Sequence, residues 1–541
     1  MNDLHLLSTR VDKHRGLLYL GAILVAFVAW AAWFIIRSSS FIGGERFFSL
    51  FDDAMISMCY ARNLVEGYGL NWARQGQPVE GYTCPLWTFL MVPINALGLP
   101  LRLRPLGVQI LGMACLVANI LVVRQLVVDF FRESNRGTWI PATLLTACYY
   151  PLNFWSLRGM ETGLQALLFT AVTYLCLRVV HTKSDRYWAL AVCLSLCILL
   201  RPDMVLAVAA CLFYVRRVVF GENRALWIWP LGLIVATTAG YELFRLAYFG
   251  DWLPNTYYLK LTGTSLPVRL MRGILVTERF FAPLWIPLTV LGVWLIPTVK
   301  REHKVRLPVA IVLLYFAYNI YIGGDAWENG VAANRFIAPV MPLVFVLLNY
   351  LFNKAVACWQ ENRSEKIDDR TVFYAHAGFT VIVLYFFLGF WGNDESEKIW
   401  RKLVIADRPF CVGADNRIVA GAKSLTRYVK PGSVIAVQWA GTTGFFTDYK
   451  LVDVLGYSEK RIARKIGQPF ALDDAIHFQP GHTKFDPAYV MRKYKPDAIF
   501  SADKMYAVAK RAGYRQVTQH IWVNPAALRK QKPKPSGFRQ N

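Results

Sequence analysis

Two adjacent carboxylates, Asp52 and Asp53, are the residues best placed by type and spacing to do chemistry. They lie in the run FDDAMISMCYARN, about fifteen residues after the first long apolar stretch, Leu17 to Ile36. The residues after them read as a helix, with Ser49 or a neighbour as its cap and acid in its first turn to complement the dipole. A double negative charge so near a bilayer serves either as a helix cap at the water surface or as a general base toward a hydroxyl. Other ionisable and polar residues stand in later loops: Glu80 in PVEGYT, Glu161 in WSLRGMET, Arg201 and Asp203 in LLRPDM, Asn255, Tyr257 and Lys260 in NTYYLK, Asp325 in GGDAWENG and Arg335 in ANRF. Ionisable groups at membrane depth are costly and mark function. Arg201, Lys260 and Arg335 suit an anionic phosphate leaving group, and Glu80, Glu161 and Asp325 suit sugar hydroxyls. Plainer roles exist beside these. Arg201 and Asp203 would make a salt bridge at a helix junction, Glu161 a cap, and Gly323-Gly324 a turn. Trp87, Trp155, Tyr257, Tyr258 and Trp327 suit either the face of a sugar ring or the interfacial aromatic belt.

The elements that must position these residues are mostly apolar. The chain has 541 residues, 55% of them hydrophobic and 18% charged, with a net charge of +24. That is the composition of a polytopic membrane protein carrying some soluble mass. The basic residues are spread through short loops, so they orient helices and meet anionic lipid; nucleic acid, which needs them gathered on one domain, is not expected as a partner. Eleven spanning helices are expected, near 17–36, 105–123, 138–155, 162–177, 187–200, 204–215, 225–248, 280–299, 307–322, 336–352 and 371–391. No small-residue cleavage site follows the first, which reads as an uncleaved helix. With the N-terminus inside, each inner segment holds at least three cations, among them Arg124, Arg132 and Arg136; Arg178, Lys183 and Arg186; and Lys354, Arg363, Lys366 and Arg370. Residues 84–99 are apolar but short and interrupted by Pro85, Pro93 and Gly98, which predicts a re-entrant or interfacial segment on the outer side.

The predicted division is a transmembrane domain over 1–391 and a periplasmic α/β domain over 392–541. In the second, PGSVIAVQWAG reads as a strand, TTGFFTDY as a short helix, KLVDVLGY as a strand, SEKRIARKI as a helix capped by Ser458, and DPAYVMRKYKPDAIFSA as helix, turn and strand. The tail KPKPSGFRQN reads as disordered. The odd helix count puts this domain and the loops that carry the polar residues on the outer face, where they would form one site.

Neither GxxxxGK[ST] nor GxGxxG follows a strand, so a nucleotide donor is not expected. An activated sugar presented outside would then be lipid-linked. The ten Cys residues include no CxxC, and the His residues show no ligand spacing, which argues against a zinc centre or a disulfide framework. Cys59 and Cys84 read as free thiols. A transporter or flippase for lipid-linked sugar would share the basic, aromatic and polar features, but it predicts paired halves with interrupted helices, and no internal repeat is present. A glycan-binding scaffold would predict that chemistry survives loss of the Asp pair.

The run FDDAMISMCYARNLVEGYGLNW…PVEGYTCPLW resembles the first outer loop of the GT-C membrane glycosyltransferases. It is most similar to the branch of the mycobacterial terminal arabinofuranosyltransferase and its bacterial relatives. WSLRGMET, LLRPDMV, YFGDWLPNTYYLK and GGDAWENGVAANRFIAPVMPL follow the same branch in order, as does Asp453-Val454-Leu455-Gly456 in the C-terminal part. Cys59 stands where that pattern has Arg, and Cys84 where it has Ser or Asn. The resemblance implies a GT-C fold in the inner (plasma) membrane, with the reaction face and the C-terminal domain toward the periplasm or exterior. It implies a polyprenyl-phosphate donor, in particular decaprenyl-phosphate arabinofuranose, and a catalytic acid/base within Asp52–Asp53. It implies a type IV pilin or a cell-surface arabinan as acceptor. The loops hold enough oxygen ligands for a divalent metal at Asp52/Asp53, as in some GT-C enzymes; the default expectation is a reaction with no bound metal and no other cofactor.

Overall fold

The computed structural model describes residues 2–529 apart from 76, 133–137, 183–185, 220–223, 283–284, 329–330, 332, 363–367 and 390–397. The loop cations Arg136, Lys183, Arg363 and Lys366 and the tail KPKPSGFRQN lie outside the described residues. The chain divides into two compact units, one of Met1–Ser39, Leu106–Tyr241 and Arg269–Phe410, the other of Ser40–Pro105, Glu242–Val268 and Cys411–Asn541.

The first unit is helical. Among the described residues the predicted spans fall largely on helix, from Asn2–Arg37 and Arg104–Leu126 through Thr162–His181, His303–Ile322 and Met341–Glu361 to Asp369–Phe387. Among the described residues, six helices are long and apolar enough to cross a bilayer by themselves; others are short, such as the 14-residue Tyr187–Leu200. One expected span, 138–155, is broken into Ile140–Cys148 and Tyr150–Leu157. Pro151 explains the break, because it has no N–H to offer the carbonyl four residues back. The Asn153 side chain donates to that carbonyl, Ala147 O, at 2.7 Å instead. Two buried hydroxyls in this unit are satisfied along their own helices, Thr146 by Ala142 O and Thr173 by Phe169 O.

The second unit joins the first-loop region to the C-terminal α/β part. It opens with a hairpin of β1 (Ser40–Ile42) and β2 (Glu45–Phe47). A five-stranded sheet is built from β3 (Val434–Val437), β4 (Lys450–Asp453), β5 (Ala498–Phe500), β6 (Arg515–Thr518) and β7 (Ile521–Val523), in the order β4-β3-β5-β7-β6. β3 pairs in parallel with β4 and β5, while β7 runs antiparallel to β5 and β6. Ile435, Ala436, Val437, Ala498, Ile499 and Phe500 are buried, as parallel strands covered on both faces require. The predicted strand and helix order is found, and a helix (Asp503–Arg511) and the hairpin β6–β7 come after it.

The segment 84–99 forms a 12-residue helix, Pro85–Ala96, which buries Trp87, Thr88, Met91 and Asn95 at helical spacing. Two expected caps are corrected. The Asp52–Val65 helix begins after Phe51, with no side-chain cap; Ser49 Oγ turns instead to Leu50 O. The Lys460–Ala463 helix is capped by Glu459, whose Oε2 accepts the Ile462 N–H at 2.9 Å, rather than by Ser458. The Ser458 N–H is drawn the other way, to Asp453 Oδ2 at 2.9 Å, so the chain enters the helix one residue later.

Candidate active-site residues

In the second unit the first-loop helix, Asp52–Val65, buries eleven of its fourteen residues, including both polar ends, Asp52 and Arg62. The Asp52 carboxylate accepts the Thr442 N–H at 2.7 Å (Oδ1) and the Gly441 N–H at 3.2 Å (Oδ2). Burial raises its pKa to about 6; the Thr442 and Gly441 amides pull against that rise and the neighbouring Asp53 adds to it. Asp53 is the next residue on the helix, turned by about 100°, and is half-buried.

Glu80 is fully engaged. Its carboxylate pairs with Arg245 Nε at 2.7 Å, both side chains almost wholly buried, and its carbonyl accepts the Asn255 N–H at 2.9 Å. The Asn255 side chain donates to Gly456 O and Tyr457 O, each at 2.8 Å. The turn that presents those carbonyls is pinned by buried Asp453, which accepts the N–H groups of Leu455, Gly456 and Ser458. Three stretches distant in sequence, VEGYT, NTYYLK and DVLGYS, are thus tied at one place. Gly81 is needed there, since a Cβ would lie 2.8 Å from Tyr60 Oη and 2.9 Å from Tyr457 O. Lys260 lies 5.7 Å over the Tyr457 ring, and Tyr257 packs edge-on against Tyr258.

The remaining predicted residues are gathered in the first unit, as two buried ion-pair groups. Arg201 Nε meets Asp203 Oδ1 at 2.8 Å and its Nη1 meets Glu161, with the Phe336 ring 5.2 Å from the guanidinium. Glu161 is the first residue before the Thr162–His181 helix, but its side chain serves Arg201 and not the helix end. Arg335 grips Asp325 with both arms, at 2.7 and 2.8 Å, and lies 5.7 Å over the Trp155 ring. Gly323 and Gly324 form the turn before Asp325, both with positive φ. Each of these two arginines is therefore answered by protein carboxylate already.

Sequence inspection missed the cations of the Leu266–Phe281 helix. Arg272 donates to Asp325 O at 2.7 Å, to Gly323 O, and to Glu328 Oε2 at 2.9 Å. Burial raises the pKa of Glu328, and Arg272 counters it. Arg269, one turn earlier, is 7% exposed, and its Nε and Nη1 are buried with no hydrogen-bond partner among the described residues. Its contact is the Tyr321 ring, 5.3 Å from the guanidinium. On the same helix Leu266, Met271 and Ile274 are exposed. Val268 and Val276 are buried beside the two arginines, and Glu278 and Arg279 are exposed at the helix's C-terminal end. The signal was present in LPVRLMR, where the arginines repeat at i, i+3 among apolar residues.

Among the described residues no three or more of His, Cys, Asp and Glu come together as metal ligands. At Asp52 the amide N–H groups of Gly441 and Thr442 aim their positive ends at both oxygens, so the site as built does not favour a cation there. Cys59 and Cys84 are buried free thiols.

Residues 413–534 match a family model described as a domain of unknown function (DUF8728). The chain is 26% identical over 286 residues to a terminal beta-(1->2)-arabinofuranosyltransferase of Mycobacterium tuberculosis, a match covering 48% of this chain and 42% of that protein. It is 24% identical over 343 residues to the protein of the same description from Corynebacterium glutamicum, covering 55% and 48%. The chain thus spans about half the length of the curated relatives it matches. Among solved structures it is similar to ArnT from Cupriavidus metallidurans. The apo state gives a TM-score of 0.53 at 12% identity over 95% of this chain and 98% of that one. The state bound to undecaprenyl phosphate gives 0.55 at 13% over 93% and 98%. The chain is a polytopic membrane protein with a C-terminal α/β part; it has the fold of the GT-C glycosyltransferase ArnT and resembles the terminal arabinofuranosyltransferases.

Proposed function

We propose that the chain is a glycosyltransferase that moves a pentofuranose, D-arabinofuranose, from a polyprenyl phosphate to a hydroxyl acceptor on the outer side of the inner membrane. The observation that carries this reading is Arg269, a buried guanidinium with no anionic partner among the described residues, on a helix that also exposes Leu266, Met271 and Ile274. A buried cation calls for an anion, and in a membrane protein the headgroup phosphate of a lipid is one. The sequence likeness to arabinofuranosyltransferases supports the choice of sugar, and the ArnT structure bound to undecaprenyl phosphate supports a donor of that lipid class.

In this reading the first-loop carboxylate pair takes the proton of the acceptor hydroxyl as its oxygen attacks the anomeric carbon. The bond from that carbon to the phosphate oxygen breaks, and the phosphate leaves with the added charge. The planar fork of donors on Arg269, in the helical unit, suits a lipid phosphate. The ion pairs Arg201–Glu161–Asp203 and Arg335–Asp325 stiffen the loops that carry them and contribute no free cation. No metal is assigned to Asp52, because the Gly441 and Thr442 N–H groups already engage both of its oxygens. Type IV pilin and cell-surface arabinan are the two acceptors to compare.

The test is transfer by the purified full chain in nanodiscs, with synthetic polyprenyl-phosphate arabinofuranose and a panel of pilin and arabinan acceptors. Labelled sugar on one acceptor is the expected result. Passage of the lipid-linked sugar between leaflets, with no transfer to any acceptor, would replace the reading by that of a flippase.

A further inference from the structure

The C-terminal sequence matches a family model to which no function is attached, yet the structure gives one of its elements a specific task. The seven-residue helix Ala440–Phe446 has no side-chain cap of its own; its N-cap residue is Trp439. Asp52 does that work from the first-loop helix by accepting the N–H groups of Gly441 and Thr442. At the other end Arg62, from the same first-loop helix, donates to Phe445 O at 2.7 Å and to Thr447 O at 3.5 Å. Between them Cys59 Sγ lies 3.3 Å from Gly441 O, and Trp72 Nε1 donates to Ala440 O at 3.3 Å. One helix therefore grips the other at both ends, acid to free amides and guanidinium to free carbonyls, which is the arrangement a helix dipole favours.

The grip depends on glycine. A Cβ on Gly441 would run into Asp52 O and come within 2.7 Å of Ile56 N, all backbone. A Cβ on Gly444 would lie 2.9 Å from Cys59 Sγ and 3.3 Å from Trp72 Nε1, both side-chain ends that can shift. The two helices are thus held at backbone contact at the very turn that bears Asp52 and Asp53. A general base works only when its oxygen is held in place to a fraction of an ångström.

We propose that the Ala440–Phe446 helix is a positioning element for catalysis: Gly441 and Thr442 aim the Asp52 carboxylate, and the C-terminal domain is part of the transferase machinery. The proposal rests on the reading of Asp52–Asp53 as the base. Besides the two amides, the charges around Asp52 are Asp53 on its own helix and, at the far end of the pair, Arg62 with Glu66, Arg74 and Asp448.

The experiment compares Gly441→Ala and Gly444→Ala in the full chain, in nanodiscs, with synthetic polyprenyl-phosphate arabinofuranose and whichever acceptor the wild type uses. Gly441→Ala should lower kcat at least tenfold and Gly444→Ala less, with donor KM within twofold of wild type. Loosened amide bonds stabilise the carboxylate less, so the acid limb of the kcat profile should move to higher pH, more for Gly441→Ala. A helix that merely fastens the domain would change the thermal midpoint and leave that limb where it is. Folded variants with unchanged kcat and unchanged limb overturn the proposal, as does a raised KM at constant kcat, which would give the domain a binding role. If Gly441→Ala does not fold, the milder Gly444→Ala decides by the same criteria. Asp52→Asn and Asp53→Asn measured in parallel keep the two ideas apart: full transfer by both sinks the base reading itself, whereas their loss beside normal glycine variants sinks only this inference.

Discussion

Neutralising Arg269 should have two opposite effects, and their combination separates a ligand site from a structural cation. A buried, uncompensated charge costs several kcal/mol even after relaxation, and a cation–π contact with an exposed ring such as Tyr321 returns only about 0.5–1 kcal/mol. Without donor, the protein therefore holds Arg269 at a net cost. Arg269→Met keeps most of the volume and removes the charge, so the ligand-free protein should gain about 1–4 kcal/mol. Polyprenyl phosphate should then lose its charge-assisted hydrogen bonds, each about 1.5–3 kcal/mol, which for two arms of the fork weakens binding at least about 100-fold. The assay is thermal unfolding in nanodiscs with and without polyprenyl phosphate. At about 100 times its Kd the lipid should stabilise the wild type by about 2.7 kcal/mol, and at the same concentration the Met variant by no more than about 0.4 kcal/mol. Arg269→Lys, which keeps charge without the planar fork, should fall between. A Met variant that is less stable than wild type and still responds fully to the lipid would show Arg269 to be a structural core cation, and the donor reading would lose its main support.

Asp52→Asn and Asp53→Asn should each insert and fold, and one should lose about 10²–10⁴-fold in transfer while the other is impaired less; near-normal turnover of both would reduce the pair to a structural role. Arg245→Ala leaves Glu80 buried and unpaired and should cost about 3–5 kcal/mol, read as a lowered thermal midpoint. Adding Glu80→Gln should recover much of it, and no recovery would mean that the pair is not what holds VEGYT in place. Cysteine probes at Ala326 and Lys430, in a background lacking the exposed Cys358, should react with an impermeant reagent added outside, and one at His303 should not; the reverse pattern would invert the topology.

The architecture was legible where the sequence carries its own signal. The six long apolar helices were visible as apolar runs, and β3 and β5 as short runs of Val, Ile, Ala and Phe between turn residues. The broken helix at Tyr149 could have been read from Pro151, but its repair by Asn153 could not. β6 and β7 escaped because four and three residues, with Arg515 and Gln516 among them, show no alternation; their place comes from pairing with β5. The candidate residues were legible as types and not as partners. Arg201 and Asp203 are two apart, and their salt bridge was foreseeable. Glu80 looked available for a sugar because its partner Arg245 is 165 residues away. Asp52 looked free because its donors are backbone amides 389 and 390 residues on, and an amide leaves no letter in a sequence. Arg269 was missed for the converse reason: the letters predict a solvated cation, and only the placement of the helix shows the charge turned inward.

In the proposed role of base, Asp52 meets a conflict common to every buried carboxylate base. It must be shielded from water to bind its proton usefully, yet shielding favours the protonated form, which cannot accept one. Burial alone drives the Asp52 pKa upward, and the charge of Asp53 beside it pushes the same way. The amides of Thr442 and Gly441 bond to the ionised form and hold the value to about 6. At neutral pH the group is then mostly ionised but far more basic than an exposed aspartate, which is the range in which a carboxylate is effective as a general base. A first loop without the Ala440–Phe446 helix would leave either a protonated buried acid or a hydrated, weakly basic one. That the donors are main-chain amides is also physically apt, because they cannot rotate away or titrate, and two glycines let them approach.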